Sequence, residues 1–217
     1  MKIAIYGDSY AHCISPRPDI NNDGSPWFNL VKNAGFDITN YAQSGSSFYY
    51  SYIQFKKNYI NYDKNIFLGT FPGRRYISLN GTMIHAQTWH TRPEFKNDKI
   101  RGGKMHEALS LYYGYLYNEE EDTDYIQLME NYILSKKNVL YLNIQKTLYQ
   151  LFLRDKANFN IKDNEDINEN MHCHLTNENN KILADSIIEW LQTGNFEFDI
   201  NMYPTPNINL RGKYWPK

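Results

Sequence analysis

A serine near the beginning of the chain and a histidine near its end have sequence neighbours typical of a catalytic pair. Ser9 directly follows Gly7-Asp8 at the end of a short apolar run, and His174-Leu175-Thr176 precedes the last helical stretch. A serine hydroxyl is a weak nucleophile at neutral pH, so it needs an adjacent base, and the oxyanion that develops during attack needs preorganised donors. The pattern predicts acyl transfer with Ser9 as the nucleophile and His174 as the general base.

The elements around these residues predict how the two side chains meet. The apolar, β-branched run 2–6 is typical of a buried strand, and predicted strands alternate with predicted helices along the chain. This alternation favours an α/β fold, a three-layer α/β/α sandwich with a mostly parallel, flavodoxin-like central sheet. Because sites in such sheets lie at the carboxyl ends of the strands, a histidine before the last helix can reach the end of the first strand.

The predicted elements divide the chain into one domain and a tail. The further strands are 36–41, 65–69 and 138–144, and the helices are 26–33, 48–58, 104–117, 123–136 and 177–192. Residues 71–103 are polar and broken by glycines and prolines, which favours a long loop that acts as a lid or substrate-contact insertion. We therefore predict a domain over 1–194 and an extended tail over 195–217, where prolines interrupt any helical period.

Three sequence blocks together resemble the SGNH/GDSL hydrolase family. They are Gly7-Asp8-Ser9, Asn40-Tyr41-Ala42-Gln43-Ser44-Gly45 and His174-Leu175-Thr176, in the family's order and spread over residues 2–194. The resemblance implies a serine hydrolase of the esterase or deacetylase type. It also implies that the backbone N–H groups of Ser9 and Gly45 contribute to the oxyanion hole.

The third block of the family departs from its pattern in this chain. Family members carry Gly-x-Asn-Asp after the third strand, with the asparagine as a side-chain oxyanion donor, whereas this chain has Gly69-Thr70-Phe71-Pro72-Gly73-Arg74. Thr70 or Arg74 would then have to supply the donor, and Asp8 is a further candidate for substrate binding. The Arg74 guanidinium could also bind an acidic substrate, although a solvated loop arginine is an equally good interpretation.

The acid of the triad is also missing from its usual position. The family places an aspartate three residues before the histidine, where this chain has Met171. Asp166 and Glu169 lie close enough in sequence to replace it and orient the His174 imidazole, and a backbone carbonyl could do the same in a Ser-His dyad. The identity of the acid stays open among these acceptors.

Histidines and cysteines near both chain ends raise the question of a metal site. His12-Cys13 and His172-Cys173-His174 could bring nitrogen and sulfur ligands to the same sheet edge. Neighbouring side chains in an extended segment point to opposite sides, so several of them could not face one ion. We predict no metal and no cofactor. In the insertion, His85, His90 and Arg92 could line a substrate pocket or be solvated.

Composition and charge limit the partners that we expect. The chain has 217 residues with a formal net charge of −1, which removes the main electrostatic reason to expect binding to nucleic acid or to a membrane surface. The N-terminus shows no signal-peptide core, so we expect a cytoplasmic protein with free thiols at Cys13 and Cys173. The 19 tyrosines could serve a carbohydrate-facing surface or ordinary core packing. The Asn-, Lys- and Tyr-rich composition would suit an AT-rich genome such as that of a bacteriophage, which would place the protein in the host cytoplasm or the virion.

Three functions are compatible with these residues. The first is an ester hydrolase that acts on a small-molecule or carbohydrate ester, with carbohydrate O-deacetylation as its specific form. The second is a binding or structural-accessory protein of the same fold without catalysis, which the altered third block and Met171 favour. The third is a flavodoxin-like binder of a phosphate-bearing ligand through Ser9, Ser44, Ser46 and Arg74. Assembly into a homo-oligomer is compatible with all three.

Overall fold

Strands and helices alternate along most of the chain. The computed structural model describes residues 1–12, 26–79, 82–93, 96–97, 102–144, 146–148, 171–172 and 175–203. The first elements are β1 (Lys2–Tyr6), α1 (Trp27–Asn33), β2 (Asp37–Asn40), α2 (Phe48–Asn58), β3 (Lys64–Gly69), β4 (Arg75–Leu79) and β5 (Thr82–Ala86). They are followed by α3 (Lys104–Leu111), α4 (Glu119–Leu134), β6 (Val139–Asn143), β7 (Met171–His172), β8 (Leu175–Thr176) and α5 (Asn177–Thr193).

The central sheet has four parallel strands in the order β2-β1-β3-β6. In register, Ile5 of β1 pairs with Asn40 of β2 and with Ile66 of β3, and Leu68 of β3 pairs with Leu142 of β6. All four strands therefore end at the same edge of the sheet, where the loops after β1, β2 and β3 carry the candidate site residues. The predicted mostly parallel sheet is confirmed.

Alternate residues of the strands bury opposite faces of this sheet. One face packs against α1 and α5 through a cluster that includes Ile3, Ile5, Leu68, Trp27 and Leu183. The other face packs against α2 and α4 through a cluster that includes Ala4, Tyr6, Phe67, Phe55 and Ile133. Since successive side chains of a strand point to opposite sides, both faces need a layer of helices. The three-layer α/β/α architecture is therefore confirmed.

The insertion 71–103 differs from the loop that its composition predicts. It contains an antiparallel hairpin of β4 and β5, in which Ile77 pairs with Ile84, followed by a 3-10 turn over Thr88–Thr91. The dipeptide Asn80-Gly81, which lies between these strands in the sequence, favours hairpins, and this signal outweighs the glycines and prolines nearby. The predicted helix 104–117 likewise divides into α3 and a π-helical turn, Tyr112–Leu116.

The beginning of the predicted tail packs on the domain. Tyr203 is 2% exposed and belongs to the same hydrophobic cluster as Trp27 and Leu183. Residues 204–217 lie outside the described residues, so the extended tail stays a prediction there. Within the described ranges, no helix has the length and apolar composition that crossing a membrane would need.

Candidate active site

Ser9 lies on a tight turn that directly follows β1. Gly7, which begins the turn, has a φ of +155°, and a β-carbon on it would lie 2.8 Å from the Leu68 β-carbon of the neighbouring strand. The Asp8 carbonyl accepts from the Ala11 N–H at 3.0 Å, and its side chain accepts from the Tyr10 N–H at 3.1 Å. The chain therefore reverses within three residues and leaves Ser9 half-buried at the carboxyl edge of the sheet.

The Asp8 carboxylate is buried and ion-paired. It is 0% exposed, and its Oδ2 accepts from the Thr70 hydroxyl at 2.7 Å and from Arg74 Nη1 at 2.5 Å. Arg74 Nη1 also reaches the Ser46 carbonyl oxygen at 3.4 Å. The single proton of the Thr70 hydroxyl is used in this bond, so Thr70 would have to leave Asp8 to act in the oxyanion hole, whereas Arg74 is held at Asp8 by Nη1 alone and has other N–H donors. Burial also keeps Asp8 itself from binding substrate directly.

The loop after β2 is attached to the nucleophile turn by the carbonyl of Gly7. This oxygen accepts from the Gln43 N–H at 3.1 Å, from the Ser46 hydroxyl at 2.9 Å and from the Ser51 hydroxyl at 3.2 Å. Gly45, between these donors, has a φ of +73°, a left-handed conformation that favours glycine. Among the described residues, none accepts a hydrogen bond from the Gly45 N–H. That group can therefore donate to a ligand.

Two further bonds attach the same loop to the segment that follows Ser9. The Ser44 N–H donates to His12 Nδ1 at 3.3 Å, and Asn40 Nδ2 donates to the Ala11 carbonyl at 2.6 Å. His12 thus positions the loop. In the part of the chain that the structure describes, no three His, Cys, Asp or Glu side chains are grouped to hold a metal ion, and Cys13 and Cys173 lie outside that part.

A chain of buried hydrogen bonds connects the nucleophile turn to the segment before α5. Trp27 Nε1 donates to the Tyr10 carbonyl at 2.8 Å, and the Trp27 N–H donates to Asn180 Oδ1 at 2.9 Å. Asn180 Nδ2 in turn donates to the Leu175 carbonyl at 3.0 Å. All three bonds are buried, so they are shielded from competing water. The backbone at Tyr10 and the backbone at Leu175 are thereby held at one edge of the sheet.

The two ends of this chain of bonds are the sequence neighbours of the predicted catalytic pair. Tyr10 is the residue after Ser9, and Leu175 is the residue after His174. His174 lies outside the described residues, as do the candidate acids Asp166 and Glu169. The described neighbours therefore bring the two segments together, whereas the distance from Ser9 Oγ to the imidazole stays a prediction.

The histidines of the insertion are buried within the fold. His90 is 1% exposed, and its Nδ1 accepts from the Gln87 N–H at 3.0 Å. The His85 ring stacks on Tyr76 at a centroid distance of 4.9 Å and meets the edge of Tyr50 at 5.1 Å. Arg92 is exposed. His85 therefore packs the hairpin against α2, His90 bonds within the insertion, and Arg92 is the solvated member of the predicted set.

A cleft of about 530 Å³ opens between α2, β4, the π-helical turn and α4, which composition alone does not reveal. Its aromatic lining consists of Phe48, Tyr49, Tyr52, Tyr76, Tyr112 and Tyr125. Arg74 lines the same cleft and bonds Asp8, the residue before Ser9. Ser9 itself is not a lining residue, and the cleft is connected to the nucleophile turn only through the bond from Arg74 to Asp8.

A second ion pair holds the wall of this cleft. Arg75 Nη1 lies 2.6 Å from Asp122 Oδ1, and Arg75 Nε donates to the Tyr112 hydroxyl at 2.7 Å. The other oxygen of Asp122 accepts from the Gly73 N–H at 2.6 Å. Burial alone would lower the pKa of the Arg75 guanidinium, but the bonds to Tyr112 and Asp122 outweigh it and raise that pKa above its ordinary value. The loop that carries Arg74 is therefore fixed to α4.

Comparisons with known proteins give distant structural similarities. No family model and no curated protein matches the chain. A catalytic mutant of Axe2, an acetylxylan esterase from Geobacillus stearothermophilus, is 15% identical with a TM-score of 0.40, over 89% of this chain and 94% of that one. A putative lipolytic protein of the G-D-S-L family from Desulfitobacterium hafniense DCB-2 is 12% identical with a TM-score of 0.36, over 87% and 98%. The acetyl xylan esterase AlAXEase is 14% identical with a TM-score of 0.37, over 89% and 100%. Such similarity assigns no residue role, and the site rests on the contacts of this chain.

Proposed function

We propose that the protein is a serine ester hydrolase with Ser9 as the nucleophile and His174 as the general base. The observation that carries the proposal is the buried chain of bonds through Trp27 and Asn180, which joins the residue after Ser9 to the residue after His174. A base can activate a serine only within hydrogen-bond reach. The bonds link the two backbone segments through Trp27 and Asn180, which supports the proposed pairing of the two side chains.

The proposed reaction proceeds through an acyl-enzyme. The Ser9 oxygen forms a bond to the carbonyl carbon of the ester while its proton moves to His174. The tetrahedral oxyanion accepts hydrogen bonds from the N–H groups of Ser9 and Gly45. When it collapses, the bond to the alcohol oxygen breaks and His174 returns the proton to the leaving alcohol. Water then repeats the steps and releases the acid from Ser9.

The imidazole needs an acceptor for its second N–H during this reaction. Asp166 and Glu169 remain the candidate acids, and a backbone carbonyl is the alternative. An acceptor holds the ring in the productive tautomer and stabilises its charged form. Asp8 is not available for this role because Thr70 and Arg74 bond its carboxylate.

The tyrosine lining of the cleft supports a carbohydrate ester as the substrate, and we propose O-deacetylation as the specific reaction. Tyrosine rings offer an apolar face and a hydroxyl rim, which match the C–H faces and hydroxyl groups of a sugar ring. The two arginines at the cleft are already paired, Arg74 with Asp8 and Arg75 with Asp122. A neutral sugar therefore suits the cleft better than an acidic substrate, which would compete with both carboxylates.

A fluorophosphonate probe tests the proposed nucleophile directly. The probe should label the wild-type protein at Ser9, as located by peptide mass spectrometry, because an activated serine attacks phosphorus as it attacks an ester carbonyl. Ser9→Ala should abolish labelling, whereas Ser135→Ala, which changes an exposed serine at the end of α4, should not. Labelling of wild type and Ser9→Ala to the same extent would overturn the assignment.

Two exposed tyrosines of the cleft test the substrate class. Tyr49 and Tyr125 are 52% and 57% exposed, so replacing either with alanine should leave the fold intact. Each replacement should raise KM for an acetylated oligosaccharide about 5- to 10-fold, the loss of one ring contact, and leave the turnover of p-nitrophenyl acetate unchanged. Tyr115→Ala is the matched control, because Tyr115 is exposed and lies outside the cleft lining. An unchanged KM in both cleft variants would argue against a sugar there.

The second candidate is a binding protein without catalysis. Thr70 follows β3, where the resemblance to the family implies a side-chain amide as oxyanion donor, and its hydroxyl is bonded to Asp8. The same cleft would then bind a glycan without hydrolysing it. Sugar binding without fluorophosphonate labelling would support this alternative.

A phosphate site is less compatible with the structure, since Ser46 is buried and donates to the Gly7 carbonyl while Arg74 is paired with Asp8.

A further inference from the structure

We propose that Gln87 supplies the side-chain donor of the oxyanion hole, beside the N–H of Gly45. This inference rests on the proposed hydrolase function and adds a catalytic residue to it. The residue comes from the end of the β4–β5 hairpin, a segment in which the sequence alone predicts a loop. The hole then has one backbone donor from the loop after β2 and one amide donor from the insertion.

The geometry places the Gln87 amide nitrogen against Gly45. A β-carbon built on Gly45 would lie 3.7 Å from Gln87 Nε2, which is van der Waals contact. The left-handed φ of Gly45, +73°, presents its N–H without a side chain in the way. No described residue accepts from that N–H. The Gln87 amide therefore lies next to the glycine whose N–H is the proposed backbone donor, in the loop that is bonded to the nucleophile turn.

The backbone of Gln87 is held by a reciprocal pair of bonds. Its N–H donates to His90 Nδ1 at 3.0 Å, and its carbonyl accepts from the His90 N–H at 3.0 Å. His90 is 1% exposed and the bond to its Nδ1 is half-buried, so this pair is partly shielded from water. On the other side, Ala86 ends β5 and pairs with Arg75, which is itself fixed to Asp122. The side chain of Gln87 therefore starts from a rigid position, as a preorganised donor requires.

The proposal explains how the site could work without an amide after β3. The hydroxyl of Thr70, which stands there, donates to Asp8 at 2.7 Å. A glutamine amide carries two N–H donors, so one can point at the oxyanion whatever bond the other makes. The side chain is neutral and needs no change of protonation during the reaction. Gln87 of the insertion would thus act in place of the side-chain amide that the family carries after the third strand.

Two substitutions of Gln87 test its role as an oxyanion donor, through the kinetics of hydrolysis of a simple acyl ester. Gln87→Met keeps the length of the side chain but removes both N–H donors, and Gln87→Glu keeps the shape but replaces the donors with an acceptor. We expect kcat to fall about 100-fold in the first variant and by at least as much in the second, with KM changed less than about 3-fold, as for removal of one oxyanion donor. The rate of fluorophosphonate labelling at Ser9 should fall in parallel.

The control is Gln192→Ala, an exposed glutamine near the carboxyl end of α5, which should react like wild type. Both Gln87 variants retain the backbone bonds to His90, and thermal unfolding checks that they fold. A kcat in Gln87→Met within about 3-fold of wild type would overturn the role of Gln87 and leave the hydrolase intact. A wild-type protein without Ser9-dependent turnover or labelling would overturn both proposals.

Discussion

Ser9→Ala is expected to lower kcat for hydrolysis of an acyl ester by about 10⁴-fold or more, and His174→Ala by a similar factor. The first substitution removes the atom that forms the acyl-enzyme. The second removes the base, and an unassisted serine hydroxyl stays protonated at neutral pH. Initial rates with p-nitrophenyl acetate measure both effects, and the residual rate should come from the oxyanion donors and substrate binding.

The double variant distinguishes a cooperating pair from two unrelated residues. Because nucleophile and base act in the same step, Ser9→Ala combined with His174→Ala should be no slower than the slower single variant. Multiplicative losses would mean that the two residues act separately, and more than about a tenth of wild-type kcat in either single variant would contradict the mechanism. Ser135→Ala serves again as the control, with wild-type turnover expected.

The sequence predicts most of the fold because local patterns carry that information. The four strands of the sheet and the helix α2 appear where alternation and helical periodicity place them, and Ser47 accepts from the Tyr50 N–H as an N-cap should. The hairpin of β4 and β5 is one exception, and the π-helical turn after α3 is another. In the hairpin, the prolines and glycines favour a loop, and only the dipeptide Asn80-Gly81 indicates a turn between strands.

The site could be predicted only where it depends on short motifs. Gly7 and Gly45 take positive φ next to Ser9, and motif spacing anticipates both positions. The contacts of Arg74 could not be foreseen, since its partner Asp8 is 66 positions away and a sequence does not say which way a side chain turns. For the same reason the tyrosine cleft and the position of Gln87 emerge only from the folded chain.

Arg74→Met is expected to destabilise the protein by about 3 kcal/mol, the cost of leaving a buried carboxylate without its ion-pair partner. Asp8 is 0% exposed, whereas the Arg74 side chain is 15% exposed, so water can reach the arginine more easily than the aspartate. Methionine preserves much of the apolar stem of Arg74 and isolates the loss of charge. Equilibrium urea unfolding measures the change, and the melting temperature should fall by roughly 6 to 12 °C.

A second substitution, at Asp8, isolates the effect of its uncompensated charge. In the Arg74→Met background, Asp8→Asn removes the uncompensated charge, and the new amide can donate to the Thr70 hydroxyl while its oxygen still accepts from the Tyr10 N–H. The double variant should therefore be more stable than Arg74→Met alone. If it is less stable, or if Arg74→Met costs under about 1 kcal/mol, the ion pair does not support the turn. Because Ser9 follows Asp8 directly, a turn that depends on this pair should lose fluorophosphonate reactivity in Arg74→Met and recover part of it in the double variant.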